Sequence, residues 1–445
     1  MYDLYKIFWF RRDLRLNDNA GLYEALSADD IPVIPIFIFD KNILDKLPED
    51  DSRVNFIHST TKNLNEKLQT YGSGLNVYYG TPEEVWKEII QSYSIHSVYT
   101  NEDYEPYAIS RDKIIKGLLE EKNIPFLHFK DHVIFDKAEV VKDDGKPYTV
   151  FTPYKRKWME KLASKKEGDF SYYLKTYPTE KYFGNLAKME KHSVIELREM
   201  GFSNGRYDIP STSVAQSIII NYDKQRDYPG INGTSKLGIH FRFGTISVRE
   251  KALKALPLNM TYLNELIWRD FYSMIMYNFP QVVTQSFRPE YDMIEWENNN
   301  KNFEAWKNGL TGYPIVDAGM RELNATGYMH NRVRMITASF LTKHLLIDWR
   351  WGEAYFAEKL LDFDLSSNNG GWQWAAGSGT DAAPYFRIFN PASQTEKFDK
   401  NYVYIKKWIP EFGSAKYPKP IVDHNEAREK CLRVYKEGLT KGKLQ

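Results

Sequence analysis

The chain has 445 residues, of which 42% are hydrophobic and 27% charged, and its net charge is +1 at neutral pH. This composition is typical of a folded protein and argues against disorder, and the length predicts at least two domains. No run of 18 apolar residues occurs, which excludes a membrane-spanning helix, and Cys431 is the only cysteine, which excludes an internal disulfide. A reducing, cytoplasmic setting is expected, without a signal peptide, because charged residues follow the first short apolar run at once.

Residues 1–130 alternate short apolar runs with amphipathic stretches. The predicted strands cover residues 5–10, 33–40, 75–80, 96–101 and 125–129. Strand–helix–strand alternation predicts an α/β domain, a doubly wound parallel five-stranded sheet with helices on both faces. The first strand is not followed by G-x-G-x-x-G, so the sequence does not support a dinucleotide site on the sheet.

The rest of the chain divides into a connection and a helical domain. Residues 131–205 are predicted to be an interdomain connection with one or two short helices. From residue 206 to 445 apolar residues recur at helical spacing, which predicts an all-α domain ending in one more helix. That part carries a net charge of +5, against −4 for residues 1–205, so a polyanion is expected to bind there.

Seven of the eleven tryptophans lie between residues 268 and 374. Core packing explains any one of them, but polar residues accompany the group. Glu265 precedes Trp268 by three residues on one helical face, and Asn331 and Met335 are four residues apart. Flat apolar walls with a few hydrogen-bonding groups predict a pocket for a planar heteroaromatic ligand, such as a base or a flavin.

The segment GTSKLGIHFRFGTIS (residues 233–247) places glycines and small hydroxyl residues before a helical pattern. Backbone N–H groups at a helix start can bind phosphate. An ordinary Thr-Ser helix cap explains the same residues. From the pattern alone both interpretations stay open.

Several segments resemble the photolyase/cryptochrome family, and most closely the class I cyclobutane pyrimidine dimer DNA photolyases. They are WFRRDLRLNDNAGL near the N-terminus, GTSKL, FGTIS, NELIWRDFY and a long stretch from residue 311 to 399 that includes TGYPIVDAGMRELNATGYMHNRVRM and DFDLSSNNGGWQWAAGSGTDAAPYF. The likeness spans the chain. It implies an N-terminal antenna domain, a connection, and a helical domain that binds FAD and DNA.

By this resemblance FAD, active as FADH⁻, binds to the helical domain. The residues implied for its phosphates and ribityl chain are Tyr222, Thr234, Ser235, Lys236, Leu237 and Gly238. Those implied along the flavin ring and ribityl chain are Arg334, Asp362, Phe363, Asp364 and Asn368, with Asn368 facing flavin N5. Gly238 and Ile239 replace the Ser-Pro of many relatives, so a side-chain hydroxyl contact would have to come from the backbone.

The resemblance implies light-driven electron transfer from excited FADH⁻ to a cyclobutane pyrimidine dimer flipped out of UV-damaged DNA. The residues implied for the dimer pocket are Glu265, Trp268, Asn331, Met335 and Trp374. Those implied for reducing oxidised flavin by electron hopping are Trp372, Trp349 and Trp296. Those implied for DNA phosphate contacts are Arg226, Arg332, Arg387 and Gln394. A monomer without an obligate protein partner and without a metal is expected.

A second, light-harvesting pigment is common in the family, and TNEDYEPYAISRD (residues 100–112) lies where relatives contact it. Glu105 would meet a pterin-type ring there, or else be an exposed carboxylate at a helix start. The expected pigment is 5,10-methenyltetrahydrofolate, with 8-hydroxy-5-deazaflavin or FMN as alternatives.

The main alternative function is that of a cryptochrome, a blue-light photoreceptor without repair activity. The five dimer-pocket residues and the lack of a long C-terminal tail argue against it. A 6-4 photolyase is less favoured, because MHNRVRM, which includes Met335, lacks the histidines expected there. A light-independent flavin oxidoreductase is disfavoured because no nicotinamide site is visible.

Overall fold

The structure is a computed structural model that describes residues 4–164, 171–191 and 193–443. The chain divides into two compact units. Unit 1 comprises Met1–Glu139, Trp158–Thr212 and Leu237–Pro257, and unit 2 comprises Val140–Lys157, Ser213–Lys236 and Leu258–Gln445. Each unit is thus built from three chain segments, an interleaving that the contiguous stretches 1–130, 131–205 and 206–445 do not describe.

Unit 1 contains a five-stranded sheet in the order β3-β2-β1-β4-β5. All four strand pairings are parallel. The strands are β1 Leu4–Phe10, β2 Val33–Asp40, β3 Asn76–Gly80, β4 Ser94–Asn101 and β5 Phe126–Phe129. The five predicted strands and the parallel α/β architecture are therefore confirmed.

Helices account for most of the remaining described chain. In chain order they are α1 Ala20–Ser27, α2 Lys41–Leu44, α3 Ser52–Gln69, α4 Pro82–Ser92, α5 Pro106–Glu120, α6 Phe151–Ala163, α7 Gln216–Ile220, α8 Tyr222–Gln225, α9 Gly238–Arg242, α10 Val248–Ala255, α11 Met260–Asn278, α12 Asn300–Lys307, α13 Pro314–Thr326, α14 Asn331–Ser339, α15 Trp349–Lys359, α16 Leu365–Ala376, α17 Pro391–Phe398, α18 Val403–Trp408 and α19 His424–Gly442. Short 3-10 helices cover Tyr172–Leu174, Thr179–Asn185, Leu197–Met200, Pro280–Val283 and Pro289–Met293, and a π-helical turn covers Phe340–His344. The helical C-terminal region and its final helix are confirmed.

Two apolar layers cover the faces of the unit 1 sheet. Successive residues of a strand point to opposite faces, so Ile7 and Trp9 enter one layer and Phe8 and Phe10 enter the other. β2 is buried along its whole length, as expected for a strand covered on both faces.

A buried cluster of charged residues joins α10 to the loops of the unit 1 sheet. The Arg249 Nη2 atom lies 2.7 Å from Asp131 Oδ1 and 3.0 Å from Asp18 Oδ1. Arg15 Nη2 lies 2.7 Å from the other Asp131 carboxylate oxygen. Burial raises the pKa of Asp131, but the two guanidinium groups outweigh it and lower the pKa to about 2. The cluster explains why the segment that carries Arg249 belongs to unit 1.

The core of unit 2 is rich in tryptophan. Trp306, Trp349 and Trp372 are each at most 2% exposed and belong to one apolar cluster formed by the helices of this unit. No helix within the described residues is long and apolar enough to cross a membrane.

Candidate active site

Tyr328 brings together three residues that were predicted to bind the cofactor. Its hydroxyl lies 3.3 Å from Thr234 Oγ1. Lys236 Nζ lies 5.1 Å and Arg334 Cζ 5.6 Å from the centre of its ring. Burial raises the pKa of Tyr328 to about 12, so its hydroxyl stays protonated at neutral pH. Tyr328 was not predicted as a site residue. It directly follows Gly327, which has a left-handed backbone conformation and ends α13.

Tyr262 connects the other residues of this group. Its hydroxyl donates a hydrogen bond to Ser235 Oγ at 3.3 Å, and its ring meets that of Tyr222 edge to face with the centroids 5.1 Å apart. Lys236 has a positive φ of 53°, which is uncommon for a residue with a side chain and concentrates at functional sites. The remaining predicted residues of this run, Leu237 and Gly238, belong to unit 1, where Leu237 is buried and Gly238 begins α9.

Arg334 and Asp362 form the ion pair that the resemblance implied. Arg334 Nη2 lies 3.0 Å from an Asp362 oxygen, and Arg334 Nε donates to the Met329 carbonyl at 2.7 Å. Although burial lowers the pKa of Arg334, the pairing with Asp362 raises it overall. The guanidinium is therefore a fixed positive charge held between a carboxylate and a carbonyl.

Helix α16 begins at Leu365, three residues after Asp362 in the sequence. Asp364 caps the helix by accepting from Ser367 N at 3.1 Å, and one turn later Asn368 donates to Glu353 Oε1 at 2.8 Å. Burial raises the pKa of Glu353, and the hydrogen bond from Asn368 opposes the rise. Phe363 is partly buried against the unit 2 core.

These side chains fit a flavin dinucleotide. Hydroxyl and ammonium groups of the 234–236 run can bind phosphate oxygens, and the amide of Asn368 can donate to or accept from a ring nitrogen. The fixed guanidinium of Arg334 suits an electron-rich ring system. Unit 2 therefore offers the polar contacts that FAD requires.

Arg226 forms an ion pair with Glu265 on α11. Burial raises the pKa of Glu265 and Arg226 lowers it, and burial prevails, so the pKa lies above its ordinary value. The next residue, Asp227, accepts from Arg332 Nη2 on α14 at 2.7 Å. Two consecutive residues thus connect the helix that carries Glu265 with the helix that carries the predicted Asn331 and Met335.

Helix α14 presents its first turn at the surface. Asn331 is exposed, and Met335 Sδ lies 3.7 Å from Arg332 Nη1. The guanidinium of Arg332 also lies 4.4 Å from the centre of the Phe398 ring. Arg332 and Arg226, which were expected to be phosphate contacts, are thus both engaged by carboxylates of the protein.

The other two predicted phosphate contacts are Arg387 and Gln394. Arg387 is exposed, and its guanidinium has no hydrogen bond or ion pair within the described residues. Gln394 lies in α17 and is partly buried. Arg387 is therefore the predicted contact whose charge is most available to a phosphate.

Trp268 is stacked on Phe151, which sequence reasoning did not identify. The ring centroids are 3.6 Å apart and the planes differ by 6°. Trp374 is partly buried, and its nearest ring neighbour is Phe389 at 6.5 Å. One face of Trp268 is therefore covered by protein, so a ligand can meet only the remaining surface of the indole.

The three tryptophans of the predicted electron-transfer chain differ in their surroundings. Trp372 and Trp349 are buried, whereas Trp296 is partly buried and meets Tyr435 edge to face at 5.9 Å. Arg350 Cζ lies 4.7 Å from the centre of the Trp349 ring, and no residue in the described ranges accepts a hydrogen bond from Trp349 Nε1. Trp296 is therefore more exposed than Trp349 and Trp372.

Glu105 lies at the start of α5, as the second alternative expected, but its carboxylate is not exposed. Its carboxylate lies 2.8 Å from Arg12 Nη1 and is also ion-paired with Arg242. Unit 1 has a polar cleft near the carboxyl ends of β1 and β4, and the residues that line it include Arg11, Arg12, Asp13, Asn101, Asp131 and His132. Arg12, one of the two arginines paired with Glu105, therefore lines this cleft.

Comparisons with known proteins identify the family of the chain. The family model "DNA photolyase" matches residues 6–170, and the model "FAD binding domain of DNA photolyase" matches residues 262–416. The chain belongs to the DNA photolyase family, and it is a flavoprotein enzyme of that family with FAD as its cofactor.

Individual relatives match over nearly the full length. A deoxyribodipyrimidine photo-lyase of Halobacterium salinarum is 35% identical over 97% of this chain and 98% of its own. The crystal structure of an archaeal photolyase from Sulfolobus tokodaii with two FAD molecules superposes with a TM-score of 0.79 at 36% identity, covering 97% of this chain and 99% of that one. A cryptochrome from Synechocystis has a TM-score of 0.84 over 98% and 99% of the two chains, but at 23% identity this likeness concerns the fold alone.

Proposed function

We propose that the protein repairs cyclobutane pyrimidine dimers in DNA by light-driven electron transfer. The observation that carries the proposal is the ion pair of Glu265 with Arg226 on the helix that also carries Trp268, in the same unit as the cofactor residues around Tyr328. A partly buried carboxylate and a flat indole on one helix face suit a pyrimidine dimer, because its imide edge needs a hydrogen-bond acceptor and its rings need apolar contact.

Bound FAD in its reduced form supplies the electron on illumination, and that chemistry belongs to the cofactor. The residues of the chain bind and orient the cofactor and the dimer. Arg334, fixed by its ion pair with Asp362, would place a positive charge by the flavin ring, and the 234–236 run would hold the phosphates. In this proposal the Glu265 carboxylate accepts a hydrogen bond from the imide N–H of the dimer, and Arg226 favours the ionised form of that carboxylate against the effect of burial.

The lesion has to leave the duplex to reach such a pocket, and photolyases are among the enzymes that extrude their target. A poorly stacked dimer costs less to extrude than an intact pair, which favours damaged DNA. Arg387, Arg226, Arg332 and Gln394 contact phosphates in this proposal and set the position of the strand without reading its sequence.

Trp372, Trp349 and Trp296 form the proposed route by which oxidised flavin is reduced from the surface. Burial of Trp372 and Trp349 keeps water away from the inner carriers, and the partial exposure of Trp296 lets the outer one exchange with solvent. Asn331, Met335 and Trp374 complete the proposed dimer pocket.

For a second pigment, we place a flavin-type molecule ahead of the folate first expected from the sequence. Glu105, the proposed contact of a pterin ring, is held by Arg12 and Arg242. The crystal structure of the relative from Sulfolobus tokodaii contains two FAD molecules, which supports a flavin. Mass spectrometry of pigments extracted from the purified protein distinguishes a folate, a deazaflavin, FMN and FAD.

The test of the function is repair itself. Pre-reduced holo-protein is incubated with a dimer-containing oligonucleotide in blue or near-UV light and in darkness. Dimers should disappear in the light only, and Glu265→Ala should slow repair while the flavin stays bound. Photoreduction of the flavin without loss of dimers would instead indicate a cryptochrome.

A further inference from the structure

Three aromatic rings are neighbours in unit 2. Trp268 stacks on Phe151 with the ring centroids 3.6 Å apart, and its centroid lies 5.4 Å from that of Tyr272 with the planes at an angle of 31°. Trp268 and Tyr272 are four residues apart on α11 and so share a helix face, whereas Phe151 is the first residue of α6. We call these three residues the aromatic row.

The aromatic row rests on a glycine of α16. A Cβ atom added to Gly370 would lie 2.3 Å from the Cδ1 and Cε1 atoms of Tyr272, closer than any real contact allows. Phe271, which is fully buried, meets the rings of Trp268 and Phe151 edge-on at 5.6 and 5.8 Å. The row therefore packs against the α16 backbone at Gly370 and against Phe271, and side chains in such close packing cannot shift independently.

The contact with Gly370 connects the two tryptophans of the proposed dimer pocket. Trp268 belongs to α11, and Trp374 follows Gly370 by four residues on α16. Tyr272 lies between α11 and the α16 backbone, so its ring sets how closely the two helices approach at this point. The separation of the two indoles depends on that ring.

Core packing alone does not explain the aromatic row. Trp268 and Tyr272 are only partly buried, so the row continues from the core to an accessible surface. Rings that serve only to fill a core have no reason to extend to that surface, whereas a wall that meets a ligand must be partly accessible and rigid.

We propose that Phe151 and Tyr272 are positioning residues that set the width of the lesion pocket through Trp268. The inference rests on the proposed function and specifies it. A rigid spacing of two indoles accepts a pair of covalently joined pyrimidines and fits a single undamaged base poorly. The row therefore contributes to the preference for dimer-containing DNA rather than to binding of DNA in general.

The first test compares Tyr272→Leu with Tyr272→Phe in the holo-protein. The readout is the ratio of the Kd for an undamaged oligonucleotide to the Kd for the same oligonucleotide with one dimer. Tyr272→Leu should lower this ratio about three- to tenfold, the strength of one aromatic pair, with the affinity for undamaged DNA and the flavin content unchanged. Tyr272→Phe keeps the ring and should restore the wild-type ratio.

Gly370→Ala tests the same contact without removing a ring. The added methyl group must displace Tyr272, so the ratio should fall although alanine favours helix formation. Gly117→Ala is the matched control, because Gly117 is also inside a helix, α5, and a Cβ there meets nothing within 4 Å. Gly117→Ala should keep the wild-type ratio.

A double-mutant cycle separates positioning from general packing. If Phe151 acts through Trp268, Phe151→Leu lowers the ratio in the wild-type background and has no further effect in a Trp268→Leu background. Additive effects would overturn the inference, as would a preference for dimers that survives both Tyr272→Leu and Gly370→Ala. A wild-type holo-protein without any preference for dimers would overturn the proposed function instead.

Discussion

Arg226 is ion-paired with Glu265, so the carboxylate proposed to meet the lesion already has a cationic partner in the protein. Burial favours the neutral acid and Arg226 favours the anion. The charge of Glu265 therefore depends on its partner, and this dependence can be measured.

Replacing Arg226 with Gln should raise the pH below which the preference for dimer DNA is lost. Without the guanidinium, burial and the nearby Asp227 carboxylate both favour the neutral acid, so the pKa of Glu265 rises further and the anion is lost at higher pH. The measurement is the ratio of the Kd for an undamaged oligonucleotide to the Kd for the dimer oligonucleotide, taken as a function of pH. Arg387→Gln is the control, because it removes an arginine that does not contact Glu265, and its ratio should fall at the same low pH as in the wild type. If the ratio of Arg226→Gln also fell at the wild-type pH, the charge of Glu265 would not be required.

DNA affinity should fall with salt, and the arginines should contribute unequally to the slope. Arg387 has an unengaged guanidinium, so Arg387→Gln should reduce the slope of log K against log salt by about one. Arg332 is held by Asp227 and by the Phe398 ring, so Arg332→Gln should change the slope less. Equal changes in the two variants would indicate that the pair between Arg332 and Asp227 opens when DNA binds.

Arg334→Gln should weaken flavin binding about ten- to a hundredfold, the loss expected when a hydrogen-bonded charge is removed. Asp362 would be left without its cation, and the flavin would lose a fixed positive charge. Arg321→Gln is a close control, because Arg321 forms a similarly half-buried ion pair with Glu411 in the same unit. Flavin retention after dialysis, read from the absorption spectrum, decides between them. Equal loss in both variants would point to general destabilisation.

Trp372→Phe should block photoreduction of oxidised flavin and leave repair by chemically pre-reduced protein intact. The reason is that the change removes the inner electron carrier and keeps an aromatic ring in the core. Trp306→Phe is the control, since Trp306 is equally buried and meets Trp372 edge to face at 6.0 Å but lies outside the proposed chain. Transient absorption after a blue-light pulse gives the readout. Normal photoreduction in Trp372→Phe would contradict the proposed route.

Asp131→Asn should lower the free energy of unfolding by about 3–5 kcal/mol, because it leaves buried guanidinium groups of Arg15 and Arg249 without their shared anion. The folded-state pKa of Asp131, about 2, is below the ordinary 3.8, so its contribution is full above pH 4 and is lost as the pH falls towards 2. Urea unfolding of holo-protein at several pH values measures both effects. Glu83→Gln, in an exposed pair with Lys87, should cost less than about 0.5 kcal/mol. A stability of Asp131→Asn that matches the wild type at pH 7 would contradict this assignment.

The strands were predictable because each is a continuous apolar run between turn residues. VIPIFIFD was predicted and found at Val33–Asp40 without a shift, since a strand covered on both faces needs apolar side chains at nearly every position. The pairing of Arg334 with Asp362 could be predicted only from the family resemblance, because a separation of 28 residues does not correspond to the periodicity of a helix or a strand.

The contacts of the charged and aromatic side chains were less predictable. Glu265 and Asp227 lie 39 and 105 residues from the arginines that they bind, and nothing in a local pattern distinguishes a paired arginine from a free one. Phe151 was placed in the interdomain connection, although it belongs to the compact unit that contains Trp268. Tertiary packing decides such pairs, and only the three-dimensional structure reveals them.

The three-segment composition of unit 1 limits how the protein can be divided. A truncated chain that stops at residue 205 would include Asp18 and Asp131 but not Arg249, so Asp18 would lose its buried ion-pair partner and Asp131 would keep only Arg15. The same holds on the ribosome, where the α/β unit cannot complete its fold until the chain has been synthesised past α10. Fragments of unit 1 intended for separate study therefore need residues 237–257 supplied, either by covalent fusion or in trans.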